Sequence, residues 1–107
     1  MKNDIDLVYA NAKLLDAIYC LAIGHGDVRS RLLWAFQQLW PIPRSKLPND
    51  IKTKYDWIIK QLTKYKNPYE NMDMSDAEYT LSRIRNRTGA KIAQKIWELK
   101  WEIEERL

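Results

Sequence analysis

Residues 75–107 constrain the fold of this chain more than any other stretch. Ser75-Asp76-Ala77-Glu78 spells a capping box, in which the Ser75 hydroxyl accepts the Glu78 backbone N–H while the Glu78 side chain reaches back. Met74 and Tyr79 stand where a hydrophobic staple would close over that start. Leu81, Ile84, Thr88, Ile92, Ile96, Leu99 and Ile103 then recur every three or four residues, the spacing of one helix face. Unbroken, such a helix would run roughly 46 Å at about 1.5 Å per residue. Gly89 lies inside it, and glycine in a helix interior costs roughly 1 kcal/mol relative to alanine. Two explanations stay open: the helix kinks near Gly89, or another helix packs tightly against it.

Three shorter helical segments precede it. The first is expected from about Asp4 to Ile23, with Asn3 or Asp4 as cap and Gly24 where a left-handed terminating residue belongs. It carries two apolar rows. Ile5, Val8, Ala12, Leu15, Tyr19 and Ala22 keep an alternating three-four spacing, and Leu7, Leu14, Ile18 and Leu21 form a neighbouring row. That arc is wider than a two-helix seam needs, so the helix is either central in the fold or shared with another subunit. The second segment begins at the N-cap Asp27 and ends before Pro41, with Val28, Leu32, Ala35, Phe36 and Leu39 as its seam. The third starts near Pro48, with Ile51, Tyr55, Ile58, Leu62 and Tyr65 facing inward. No strand alternation, hairpin signal or repeat is visible. The reading is an all-α, compact bundle of about four helices, one domain over residues 1–107, with a long C-terminal helix.

Composition narrows the chemistry. With one His and one Cys in 107 residues, a zinc site lacks ligands. No P-loop, dinucleotide fingerprint or nucleophile elbow occurs, so no cofactor and no metal are expected. The single cysteine, Cys20, sits in the apolar run Ile18 to Ile23 and reads as a small buried hydrophobe in a reducing compartment. No apolar run approaches the ~18 residues that span a bilayer. The start, Met1-Lys2-Asn3-Asp4-Ile5-Asp6, places acids where a signal peptide has its apolar region. A cytoplasmic protein without membrane contact is the expectation.

The net charge of +4 is unevenly spread: −2 over residues 1–28, +7 over 29–66, −4 over 67–82, +5 over 83–100 and −2 over 101–107. Arg83, Arg87, Lys91 and Lys95 fall four apart and read as a cationic ridge. Arg29 and Arg31 lie in the first turns of the second helix, where the dipole disfavours cations. They are expected to pair with an acid such as Asp27 or Asp16, or to meet an external anion. His25, in Gly24-His25-Gly26-Asp27, is the one residue suited to acid–base work near neutral pH, with Asp27 able to orient it. It is a weak catalytic candidate, because no nucleophile or second base stands near it in sequence.

Five tryptophans and six tyrosines are many for this length. Trp34, Trp40, Trp57 and Trp101 fall off the simplest seams, and Trp97 and Trp101 are four apart. With arginine nearby they are the residue types of interface hot spots, so Trp34, Trp40, Trp97 and Trp101 are the candidate interface residues.

Two resemblances follow from short segments. Arg83-Ile84-Arg85-Asn86-Arg87 resembles the Arg-Asn motif of HEPN ribonucleases, which are also helical bundles. Those carry a catalytic histidine four to six residues after the arginine; here Arg87, Thr88 and Gly89 stand there. Gly26-Asp27-Val28-Arg29-Ser30-Arg31-Leu32 and Arg83 to Ala93 look like segments of small uncharacterised bacterial all-α proteins. That similarity implies a bacterial cytosolic setting and no particular activity. The expected function is a non-enzymatic protein-interaction or oligomerising subunit, whose partner is another protein or a second copy. Nucleic-acid binding through the basic faces of 29–66 and 83–95 is the alternative, and a hydrolase or nuclease using His25 the third.

Overall fold

Asp27 fixes the corner between the first two helices. Its carboxylate accepts the backbone N–H groups of Arg29 at 3.0 Å and Ser30 at 3.2 Å, two of the donors that a first helical turn leaves without an internal partner. Gly26 precedes it at φ 84°, a left-handed conformation open to a residue without a Cβ. The computed structural model describes residues 4–69 and 73–107. In it α1 spans Asp4–Ile23, α2 Val28–Leu39, α3 Asn49–Leu62, α4 Asp76–Arg83 and α5 Asn86–Glu104. A single 3-10 turn, Arg44–Lys46, lies between α2 and α3, and the described residues contain no strand. Asn3, one of two expected caps for α1, lies outside the described residues.

The chain is thus all-α, with five helices among the described residues. The stretch expected as one helix after Ser75 is two. Ser75 does cap α4, its Oγ accepting the Glu78 N–H at 3.1 Å. The backbone then turns extended at Ile84, ψ 161°, and Arg85, ψ 158°, before α5 begins. Neither residue is glycine or proline, and a tertiary contact accompanies the break. The Ile84 carbonyl, released from the helix, accepts a hydrogen bond from Arg29 Nη1 at 3.2 Å. Gly89 is not a kink. It is buried inside α5, where a Cβ would come within 3.0 Å of Val28 Cγ1 and 3.3 Å of Leu32 Cδ1. Of the two explanations for this glycine, tight packing of another helix holds, and that helix is α2.

α1 and α2 run antiparallel. Arg31 Nη1 donates to the Leu21 carbonyl at 2.8 Å near one end, and Lys13 Nζ to Gln38 Oε1 at 3.0 Å near the other. The core gathers Leu14 from α1, Leu32 from α2, Ile51, Ile58 and Leu62 from α3, Leu81 from α4 and Ile92, Ile96, Leu99 and Ile103 from α5. No helix among the described residues is long and apolar enough to cross a membrane.

Tyr55 ties α3 to the end of α2. Its hydroxyl donates to the Leu39 carbonyl at 2.8 Å, and burial pushes its pKa up to about 12 from the usual 10.0. The folded state therefore holds this proton more tightly than the unfolded chain. Stability from the protonated phenol is complete below pH 10 and falls as pH rises towards 12. Urea melts across that range should show the decline, and Tyr55→Phe should flatten it while lowering stability at neutral pH by about 1 kcal/mol for the lost hydrogen bond.

Candidate interaction surface

The two apolar rows of α1 have different fates. Leu7, Ala10, Leu14 and Ala17 are buried, with Ile18 and Leu21 packed beside them. The other row is uncovered: Val8 is 55% exposed, Leu15 55%, Tyr19 63% and Ile23 57%, and Ala12 and Ala22 between them are exposed too. The side chain of Ile5, which opens this row in sequence, lies outside the described residues. The cause is the position of the neighbours. α2 and α5 both pack on the inner side of α1, and no described element lies across the outer side. Among the described side chains, Asp16 is the one charged residue on the exposed face; Lys13 is turned to Gln38 on α2.

One exposed aromatic residue borders this face. Trp34 sits one turn from Arg31 and one turn from Gln38, the two α2 residues bonded to α1, so it stands on the α1 edge of α2. It is 58% exposed. On α5, Trp97 and Trp101 are about half exposed and meet edge to face, with centroids 5.4 Å apart. Lys100, only 5% exposed, reaches Glu104 at 2.5 Å and lies over the Trp101 ring at 4.3 Å. Trp40 is exposed at the end of α2, beside Phe36 and Ile42 and away from α1. Trp57 lines a groove of about 440 Å³ between α3 and α5, closed by the Lys54–Glu102 ion pair at 2.6 Å.

The expected cationic ridge is split by the break between α4 and α5. Arg83 ends α4 with its guanidinium over the Tyr79 ring, while Arg87, Lys91 and Lys95 continue along α5. Lys95 reaches Glu98 at 3.4 Å; the side chains of Arg85, Arg87 and Lys91 are exposed and bond to no described residue. Arg29 and Arg31 have internal partners. Arg29 forks onto Asp27 at 2.9 and 3.2 Å and onto the Ile84 carbonyl, and Arg31 satisfies the last turn of α1. The Arg29 guanidinium, with the Ser30 N–H, holds the Asp27 carboxyl below the usual carboxylate range. Asp27, expected to orient His25, is thus committed to α2 and Arg29. His25 is exposed in the turn and bonds to no described residue. No three His, Cys, Asp or Glu side chains among the described residues converge as metal ligands do.

The sequence reading did not single out Tyr9 or Ile23 as part of an exposed face, or Lys100 as a buried lysine. Tyr9 and Ile23 carry a signal in their phase, since each follows a member of the outer row by one residue. No protein-family model matches the chain, and no curated protein and no solved structure matches it.

Proposed function

We propose that this chain works by binding rather than by catalysis, presenting the outer face of α1 to a helical protein surface. The observation that carries the reading is a six-turn helix that is apolar on both sides and covered on one. Exposed apolar patches of several hundred Å² on a small protein mark interaction sites. Trp34 beside the face supplies the residue type that anchors interface hot spots. A photo-crosslinking amino acid placed at Leu15, in cells making the full chain, should give protein adducts that the same probe at Lys91 does not. Adducts from Lys91 with none from Leu15 would overturn the reading.

One observation favours a second reading, nucleic-acid binding: Arg85, Arg87 and Lys91 are unengaged around the start of α5. Binding of that kind should weaken with salt at a log–log slope near −0.9 per neutralised phosphate on duplex DNA. It should also vanish in an Arg87→Glu, Lys91→Glu variant of unchanged helix content. No mobility shift of DNA or RNA at low salt would remove it.

A further inference from the structure

The geometry points to a second copy of this chain as the occupant of the α1 face, lying antiparallel across it; this rests on the interaction reading above. Val8, Ala12, Leu15, Tyr19 and Ala22 follow one another at spacings of four, three, four and three. That is the a/d repeat along which one helix packs lengthwise on another. All five are exposed, and the protomer core is built on the opposite side of the same helix. The helix therefore carries two seams and uses one.

Size and charge choose the register. When two copies of α1 cross antiparallel between Lys13 and Leu14, Ala12 of each faces Leu15 of the other, and Val8 faces Tyr19. Each larger side chain then meets a smaller one, the alternation that lets facing layers interdigitate. The same crossing brings the Tyr9 hydroxyl, a donor, towards the other copy's Asp16, and it keeps the two Asp16 carboxylates apart. A parallel pair would instead align the helix dipoles and gather both acidic first turns, with Asp6, at one end. Among the described side chains of this face, a nucleic-acid backbone would meet only one charge, the like-charged Asp16.

The area is sufficient. Val8, Tyr9, Leu15, Tyr19, Ile23 and Trp34 are each 43–63% exposed. At roughly 150–250 Å² for a large side chain they leave on the order of 600 Å² per protomer. Standard interfaces bury about 600–1,000 Å² per partner, so these side chains reach the low end of that class, and the exposed Ala12 and Ala22 on the same row add to it. Trp34, on the Tyr9 and Asp16 side of α1, would cover the end of the partner's row.

Sedimentation equilibrium of the full chain from about 1 to 200 µM, with cysteine crosslinking, tests this directly. The expected result is a dimer that Leu15→Glu with Tyr19→Glu weakens at least 100-fold, with helix content unchanged because both positions are exposed in the protomer, and with a melting temperature below the wild type's where the wild type is dimeric and equal to it where both are monomeric. In a Cys20→Ser background, Val8→Cys and Tyr19→Cys proteins should form a mixed disulfide when combined under oxidation. Val8→Cys alone should stay uncrosslinked, since the antiparallel crossing sets its two copies far apart. A monomeric wild-type mass throughout, a dimer indifferent to the Glu pair, or efficient Val8→Cys self-crosslinking would overturn the proposal. If the pure chain is monomeric yet the Leu15 probe captures another protein in cells, the interaction reading stands and the second copy does not.

Discussion

Replacing Gly89 by leucine is expected to lower stability by about 2 kcal/mol, within the roughly 1–3 kcal/mol range of overpacked cores. For a domain of this size that is a fall in melting temperature of roughly 8–16 °C. The reason lies in three distances: a Cβ on Gly89 meets Val28 Cγ1 at 3.0 Å, Leu32 Cδ1 at 3.3 Å and Arg29 Cγ at 3.7 Å. Leu32 is fully buried, so it cannot turn aside without disturbing the core. Leucine also gains about 1 kcal/mol of helix propensity over glycine, which offsets part of the clash. Gly89→Ala divides the two effects more evenly and should be nearly neutral. Val28→Ala should make Gly89→Ala stabilising, because it removes the closest atom. A thermal-melt double-mutant cycle across Val28 and Gly89 measures that coupling. A fully tolerated Gly89→Leu would mean that α2 and α5 do not meet as closely as described.

Thr80→Val should cost about 2–3 kcal/mol. Thr80 is fully buried, and its hydroxyl does two jobs for one residue of the α3–α4 connection: it accepts the Tyr65 N–H at 2.9 Å and donates to the Tyr65 carbonyl at 3.1 Å. Valine keeps the shape and removes both bonds. Leaving a backbone donor or acceptor unsatisfied against apolar atoms costs roughly 1–3 kcal/mol per group. Thr80→Ser keeps the hydroxyl and should retain most of the stability. Urea melts of the two variants distinguish lost hydrogen bonding from lost packing.

Much of the helical layout was legible because its signals are local. Asp27 and Ser75 are N-caps whose side chains act within three residues of themselves, and the limits of α2 follow from Asp27 and Pro41; α1 ends before Gly24, but the left-handed residue of that turn is Gly26, not Gly24 as expected. The break at Ile84-Arg85 was not legible. The apolar spacing runs straight through it, and the residue that takes up the Ile84 carbonyl there, Arg29, is 55 residues away in sequence. The same holds for the candidate surface. Both rows of α1 were visible, but which of them is covered depends on where α2 and α5 settle, and periodicity carries no information about that. The cationic ridge was drawn on one continuous helix and divides once α4 and α5 separate. Arg29 and Arg31 were readable as arginines in need of acceptors; that two of those acceptors are the Ile84 and Leu21 carbonyls is knowledge only the fold supplies.

The central claim is that the outer row of α1 is covered by another protein surface when the chain is at work. Side-chain footprinting with hydroxyl radicals, in cells and then on the purified chain diluted until sedimentation shows it monomeric, tests it most directly. Leu15 and Tyr19 should label several-fold less in cells than in the dilute protein, while Trp57, outside the face, labels alike in both. Equal labelling of Leu15 and Tyr19 in the two settings would contradict the claim.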